Sequence, residues 1–326
     1  MIRPVRCLVL GQQPEPDFDL LRRELPVGAV ELVQPEPSAD LRGIGDVQII
    51  WRIFPRGEGG DRLAEALKFH PEVRWVHSAS AGIDHLAPLF RARPDTILTH
   101  SAGVTAVPIS EFVVACLLHF CKRLHSLAEL QEQRRFGRLP LRELRDLKVV
   151  LLGLGAIGAA VAERLLPFGC AVEAVRRQPG RPHSVAVGRV YGPGELQTAC
   201  TGADALVLAA PSTGDTRRVV DARVLGRMAA GGVVVNVARG ELLDEAALLA
   251  GLAAGRPAAA YLDVFSEEPL PATSPLWSAT GVHVSPHLSW SSPHLARRSS
   301  QLFLAQLRRW LDDQPLANVA DPSLGY

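Results

Sequence analysis

Ten residues, Val149-Val150-Leu151-Leu152-Gly153-Leu154-Gly155-Ala156-Ile157-Gly158, limit what this chain can fold into more than any others. An apolar, β-like run ends in G-x-G-x-x-G, and Ala159 to Leu166 continues as a helix-like stretch. In a strand–turn–helix of this kind the first glycine makes the tight turn and the second lets a pyrophosphate approach. The third allows close helix-to-strand packing. The helix N-terminus adds free N–H groups and a positive dipole end. Gly153, Gly155, Ala156, Ile157 and Gly158 are therefore candidate dinucleotide contacts. The signature is weak by itself, because glycines also occur wherever strands turn into helices, so the rest of the chain must support it.

The flanking pattern does so. Ahead of the glycines, strands are expected at Arg6–Leu10, Val30–Val33, Val47–Ile53, Arg74–Ser78 and Thr96–Thr99. Helices are expected at Phe18–Leu25 and from an Asp61 cap to about Phe69. This alternation suggests a small parallel α/β unit. A long apolar helix, Val107 to about Leu127, and a polar, arginine-rich connector, Glu129 to Asp146, come next. From Lys148 the alternation restarts, with strands at Val149–Leu152, Ala171–Val175, Ala205–Leu208, Gly232–Val237, Ala258–Leu262 and Val282–Val284. The helices expected here are Ala156–Pro167, Gly194–Ala199, Ala222–Met228 and Asp244–Ala254, with a last one over Ser292–Leu311. Six strands with crossover helices fit a doubly wound dinucleotide-binding domain. A chain that enters this domain in its middle and leaves before its end builds its other domain from both termini.

Composition narrows the partners. The 326 residues suffice for two domains, 47% are hydrophobic and the formal net charge is +1. No general attraction to nucleic acid or to a membrane surface follows from that charge, and small molecules are the expected partners. Five scattered cysteines without metal-ligand spacing read as buried free thiols of a cytoplasmic protein, and no metal site is expected. Met1 to Arg6 lead straight into a strand without an apolar signal region.

Chemistry-bearing residues fall at the expected strand ends. Val175 is followed by Arg176-Arg177-Gln178-Pro179-Gly180-Arg181, where an NAD site places a carboxylate for the ribose 2′-hydroxyl. Guanidinium groups suit a 2′-phosphate instead, so Arg176, Arg177 and Arg181 favour NADP(H), with NAD(H) possible. Ala209-Ala210-Pro211 follows the next strand, placing Ala210, Pro211 and the nearby Thr216 beside the cofactor. Further on, Val237-Ala238-Arg239 delivers an arginine suited to a planar carboxylate. Asp263 and the Glu267-Glu268-Pro269 acids follow another strand, and Pro286-His287 the last. Arginine, glutamate and histidine at successive strand ends supply an anion clamp, a base and its orienter.

Five linked motifs resemble the D-isomer-specific 2-hydroxyacid dehydrogenase family, in particular its glyoxylate/hydroxypyruvate reductase branch. They are Ser80-Ala81-Gly82-Ile83-Asp84, Pro108-Ile109-Ser110-Glu111-Phe112, the glycine motif, Asn236-Val237-Ala238-Arg239-Gly240, and Asp263–Pro271 with Pro286-His287. The resemblance implies an α/β chain of two Rossmann-like domains. In it a doubly wound nucleotide-binding domain, residues 105–288, is inserted into a flavodoxin-like substrate domain made of residues 1–104 and 289–326. It further implies that Arg239 binds the substrate carboxylate and carbonyl, that His287 is the acid/base and that Glu268 supports it. Val237, Ala238, Arg239, Asp263 and His287 would contact the cofactor, Asp263 meeting the nicotinamide carboxamide. Ala81 and Gly82 would hold the carboxylate through backbone N–H groups, and Trp51 would stand near the substrate, with Trp290 as a second wall. A homodimer is implied, with the helix near Glu111 contributing. The activity implied is NADP(H)-dependent reduction of a small 2-oxo acid. An NAD-linked phosphoglycerate or lactate-type dehydrogenase and a catalytically idle NAD(P)-binding sensor or corepressor are the alternatives.

Overall fold

The computed structural model describes residues 4–12, 15–53 and 62–324. The chain divides into two compact units, Met1–Thr105 with Ser292–Tyr326, and Ala106–Ser291. Asp61, expected to cap a helix, lies outside the described residues.

The first unit is a parallel sheet of β1 (Val5–Leu10), β2 (Val30–Val33), β3 (Ile49–Arg52), β4 (Trp75–Ser78) and β5 (Ile97–His100). It also contains the helices α1 (Phe18–Glu24), α2 (Leu63–Phe69) and α3 (Ala87–Arg91). Its strand order, β2-β1-β3-β4-β5, is the flavodoxin-like one. Fully buried strands read as continuous apolar runs, which is why Ile49-Ile50-Trp51 was legible as one. The two-residue pleat then sends Ile49, Trp51 and Ile53 to one apolar cluster and Ile50 to the other.

The second unit opens with α4 (Ala106–Lys122) and α5 (Leu124–Glu132). The single long helix expected over Val107–Leu127 is thus two, because Arg123 takes a left-handed backbone (φ 48°) between them, and α5 runs into the expected connector. Then come β6 (Lys148–Leu152), α6 (Ala156–Leu165), β7 (Ala171–Val175), β8 (Val190–Tyr191), α7 (Leu196–Ala199) and β9 (Ala205–Leu208). They are followed by α8 (Ala222–Leu225), β10 (Val233–Asn236), α9 (Glu245–Ala253), β11 (Ala259–Leu262) and β12 (Val282–Val284). All seven strands are parallel, in the order β12-β11-β10-β9-β6-β7-β8. β6 sits where the winding direction reverses, the switch point of a doubly wound sheet. The two-residue β8 is the strand that the sequence pattern did not reveal. α10 (Leu295–Leu311) returns the chain to the first unit, where it buries Phe303, Leu304 and Leu307. All five cysteines are free and buried. No helix among the described residues is long and apolar enough to cross a membrane, and none of their side-chain clusters suits a metal ion.

Candidate active site

In the second unit Val284, Leu262, Asn236, Leu208, Leu152 and Val175 lie side by side in register across six strands. Because the strands are parallel, every chain exits at this edge. The residues singled out by sequence follow the row within a few positions.

The glycine turn divides its three glycines by task. Gly153 has φ +105°, and a Cβ there would stand 2.7 Å from the Ala209 carbonyl, so this turn presses against the end of β9. A Cβ on Gly158 would lie 2.1 Å from the Gly153 carbonyl oxygen, which lets the first turn of α6 pack on its own loop. Gly155 is different, being exposed and with nothing within 4 Å of its missing Cβ. It is also the N-cap of α6 and offers no side chain to the free N–H groups, Ala156 and Ile157 following as the first helical residues. These are the features of an anion cradle, and the residues fit a dinucleotide phosphate.

At the end of β7 the half-buried Arg176 is fixed by its own N–H, which donates to the Tyr191 carbonyl at 3.0 Å. Arg177 and Arg181 are exposed, and a 3.1 Å bond from Arg181 N to Gln178 O closes their turn. Ala210 is half-buried and Pro211 exposed at the end of β9. Thr216, expected beside the cofactor, is occupied within its own loop. Its hydroxyl donates to Pro211 O at 2.8 Å and accepts from Thr213 N at 2.7 Å.

His287 and Glu268 meet directly, Nδ1 to Oε2 at 2.8 Å, with side chains 42% and 36% exposed. The other carboxylate oxygen of Glu268 accepts the Phe265 N–H at 2.9 Å, which orients the acid. His287 has φ 53°, a left-handed conformation that costs a non-glycine residue about 1–2 kcal/mol. Two bonds hold it there, from His287 N to Asp263 O at 2.9 Å and to Ser285 O at 3.0 Å. Asp263, expected to meet the nicotinamide carboxamide, has a fully buried carboxylate that this turn engages. It accepts from Ser285 Oγ at 2.6 Å, Leu288 N at 2.8 Å and Ser289 N at 3.0 Å.

Arg239 is half-buried, with Nη1 donating to Ala238 O at 2.7 Å. Its turn is shaped by Asn236, whose fully buried amide donates to Arg239 O at 2.9 Å and accepts from Ala238 N at 3.1 Å. Val237 and Ala238 are buried at its base. A Cβ on Gly240 would fall 1.8 Å from the Phe265 carbonyl carbon, so the arginine turn lies flat against the Glu268 segment. Trp290 is half-buried against the apolar cluster that includes Tyr261.

In the first unit, Ala81 and Gly82 follow β4 and are half-buried, and their N–H groups have no acceptor among the described residues. The Ala81 carbonyl meets His100 Nδ1 at 2.8 Å. Trp51, expected beside the substrate, is core: it is 1% exposed and stacked 4.2 Å from Phe303 of α10. An aromatic at a strand end has the same sequence signature whether it faces a ligand or a helix, and the pleat decides for the helix. Sequence reasoning also passed over Asn236, Ser285 and Glu241 as working side chains, since their roles lie in bonds to other loops.

Residues 114–289 match the family model described as D-isomer specific 2-hydroxyacid dehydrogenase, NAD binding domain. Glyoxylate/hydroxypyruvate reductase A of Salmonella dublin is 32% identical over 275 residues, 84% of this chain and 81% of that protein. Two solved structures resemble the whole chain. One is a D-isomer specific 2-hydroxyacid dehydrogenase from Xanthobacter autotrophicus Py2 in complex with NADPH and MES (28% identity, TM-score 0.81, 98% of this chain and 99% of that one). The other is an NADPH-dependent glyoxylate/hydroxypyruvate reductase from Sinorhizobium meliloti in complex with NADP and sulfate (25%, 0.81, 99% and 100%). With its strand-end histidine, glutamate and arginine set along one parallel edge, the chain belongs to the D-isomer specific 2-hydroxyacid dehydrogenase family.

Proposed function

We propose that this protein reduces a small 2-oxo acid of the glyoxylate or hydroxypyruvate type to the D-2-hydroxy acid with NADPH. The observation that carries the reading is the 2.8 Å His287–Glu268 pair at the same sheet edge as Arg239 and the glycine turn. Gly155 and the start of α6 would hold the phosphates of NADPH, which when bound would supply the hydride. Arg176, Arg177 and Arg181 recognise a 2′-phosphate, with no carboxylate in the 176–181 segment to repel it. Glu268 accepts a hydrogen bond from His287 Nδ1–H and thereby leaves Nε2 as the atom that delivers a proton to the carbonyl oxygen. The Arg239 guanidinium pairs with the substrate carboxylate and offsets negative charge growing on that oxygen. In the first unit, the Ala81 and Gly82 N–H groups are further carboxylate donors. The working form is a homodimer to which α4, near Glu111, contributes.

A panel of 2-oxo acids assayed with NADPH and NADH side by side tests this. Glyoxylate or hydroxypyruvate should be turned over with NADPH favoured at least about tenfold in kcat/KM, a difference of ~1.4 kcal/mol. Equal efficiency with NADH would sink the cofactor assignment. Nucleotide binding without turnover of any 2-oxo acid would favour a sensor.

A further inference from the structure

The loop after β9 and the turn after β10 are joined by one side chain that the reaction itself does not need. Glu241, two residues beyond Arg239, accepts from Ser212 Oγ at 2.5 Å through Oε2 and from Arg217 at 2.9 Å through Oε1. Its carbonyl accepts the Arg218 N–H at 2.7 Å, and bonds from Val220 N to Leu242 O and Asp244 N to Val220 O, both 3.0 Å, continue the seam. Ser212 is buried, so its hydroxyl depends on this carboxylate. Within the loop, Thr216 ties Pro211 and Thr213 together. On the other side Asn236 and Gly240 fix the Arg239 turn against the Phe265 backbone. Loop 211–218 and the Arg239 turn are therefore bonded to each other, and Glu241 is a polar side chain that joins them.

We propose that Glu241 is a positioning residue that couples the nucleotide-facing loop 211–218 to the carboxylate-binding Arg239, so that bound dinucleotide and bound 2-oxo acid strengthen each other. The proposal rests on the functional reading above. Closing the loop over the nucleotide sets the Arg239 turn, and an anion on Arg239 returns the same free energy to nucleotide binding, since coupling between two ligands is reciprocal. Glu241 touches neither ligand in this account.

Oxalate, a planar carboxylate that cannot accept a hydride, allows the test without turnover. The dissociation constant of NADPH, read from nicotinamide fluorescence, should tighten by about fivefold or more when oxalate is saturating, the lower end of ordinary coupling. In Glu241→Ala that ratio should fall below about twofold, and Ser212→Ala should lower it in the same direction. The double variant should be no worse than Glu241→Ala, because the bond that Ser212→Ala removes is already lost in Glu241→Ala. Glu241→Gln, which keeps an acceptor for Ser212, should retain most of the tightening. With glyoxylate, Glu241→Ala should raise KM more than it lowers kcat. No tightening in the unaltered protein, an unchanged ratio in Glu241→Ala, or additive losses in the double variant would overturn the proposal. Failure of the 2-oxo acid panel would instead strike the functional reading, since the binding measurements need no reaction.

Discussion

At the edge of the five-stranded sheet the polar side chains turn inward and satisfy one another. At the matching edge of the seven-stranded sheet Asp263 and Asn236 are buried in the same way, but His287, Glu268 and Arg239 keep part of their surface exposed. In the first unit, His77 is fully buried, its Nδ1 at 2.8 Å from Thr99 Oγ1 and its Nε2 at 3.2 Å from Ser101 Oγ, while Trp75 Nε1 donates to the same Thr99 at 2.8 Å. What this edge offers outward is main chain, at Ala81 and Gly82. In the second unit His287, Glu268 and Arg239 stand three to six residues beyond the strand row and keep part of their surface open. On the proposed reading, two sheets of the same parallel type divide the work: one presents amide groups, the other groups that carry protons and charge.

The sharpest way to break this division is His287→Ala. Losing a general acid should lower kcat by about 10²–10⁴-fold, with the NADPH dissociation constant unchanged. Steady-state kinetics beside a fluorescence titration would show it, and turnover within threefold of the parent would contradict the role. Arg239→Lys ranks next. It keeps the charge but loses the forked geometry, and kcat/KM for glyoxylate should fall about 10–100-fold, the cost of one to two charge-assisted bonds. Arg176→Ala should reduce the preference for NADPH over NADH about tenfold, of the order of one charge-assisted hydrogen bond, without affecting kcat.

A buried histidine in the first unit and a half-buried one in the second make stability depend on pH. Burial pushes His77 down to about 3, with the His100 charge acting in the same direction. Burial and the charges of His119 and His125 push His283 down to about 4. Below pH 6.5 the unfolded chain takes up protons that these folded imidazoles refuse. Stability therefore falls as pH drops from about 6.5 toward 3–4 and is flat above that window as far as these groups are concerned. Urea unfolding at pH 7.5 and 5.0 should show the loss, and His77→Gln should lessen it. An equal loss in the variant would mean that His77 is not one of its causes.

Much of this layout was legible in the sequence, because buried parallel strands are uninterrupted apolar runs and their ends are where chemistry gathers. Val282–Val284 and the histidine three residues past it could be read from the chain alone. What escaped reading were features fixed by neighbours distant in sequence. The left-handed Arg123 that splits α4 from α5 carries no glycine or asparagine to announce it. β8 is two residues long and exists because Tyr191 bonds to Arg176. Asp263 and Glu241 show their partners, 25 and 29 positions away, only once the fold is known. Trp51 shows the limit most directly, since nothing in Ile49-Ile50-Trp51-Arg52 says which face holds α10. Trp51→Phe should therefore cost stability, roughly 1–3 kcal/mol in urea unfolding, and leave the KM for glyoxylate unchanged. A raised KM with stability intact would return Trp51 to the substrate.

The smallest expected effect tests the other half of the comparison. If the first unit contributes N–H groups and not side chains, the identity of residue 81 should scarcely matter so long as its amide stays. Ala81→Ser keeps the N–H and adds a small polar group at a half-buried position, so KM for glyoxylate should move by no more than about twofold, the ±0.5 kcal/mol typical of a tolerated site. Ala81→Pro removes the N–H itself, and KM should rise about tenfold or more, the value of one hydrogen bond to a charged acceptor. Ala81→Pro also restricts the backbone, so the informative quantity is the pair: a silent serine beside a damaging proline assigns the function to the amide. A serine variant as impaired as the proline one would show that this edge too works through its side chains, and the two sheets would no longer differ in kind.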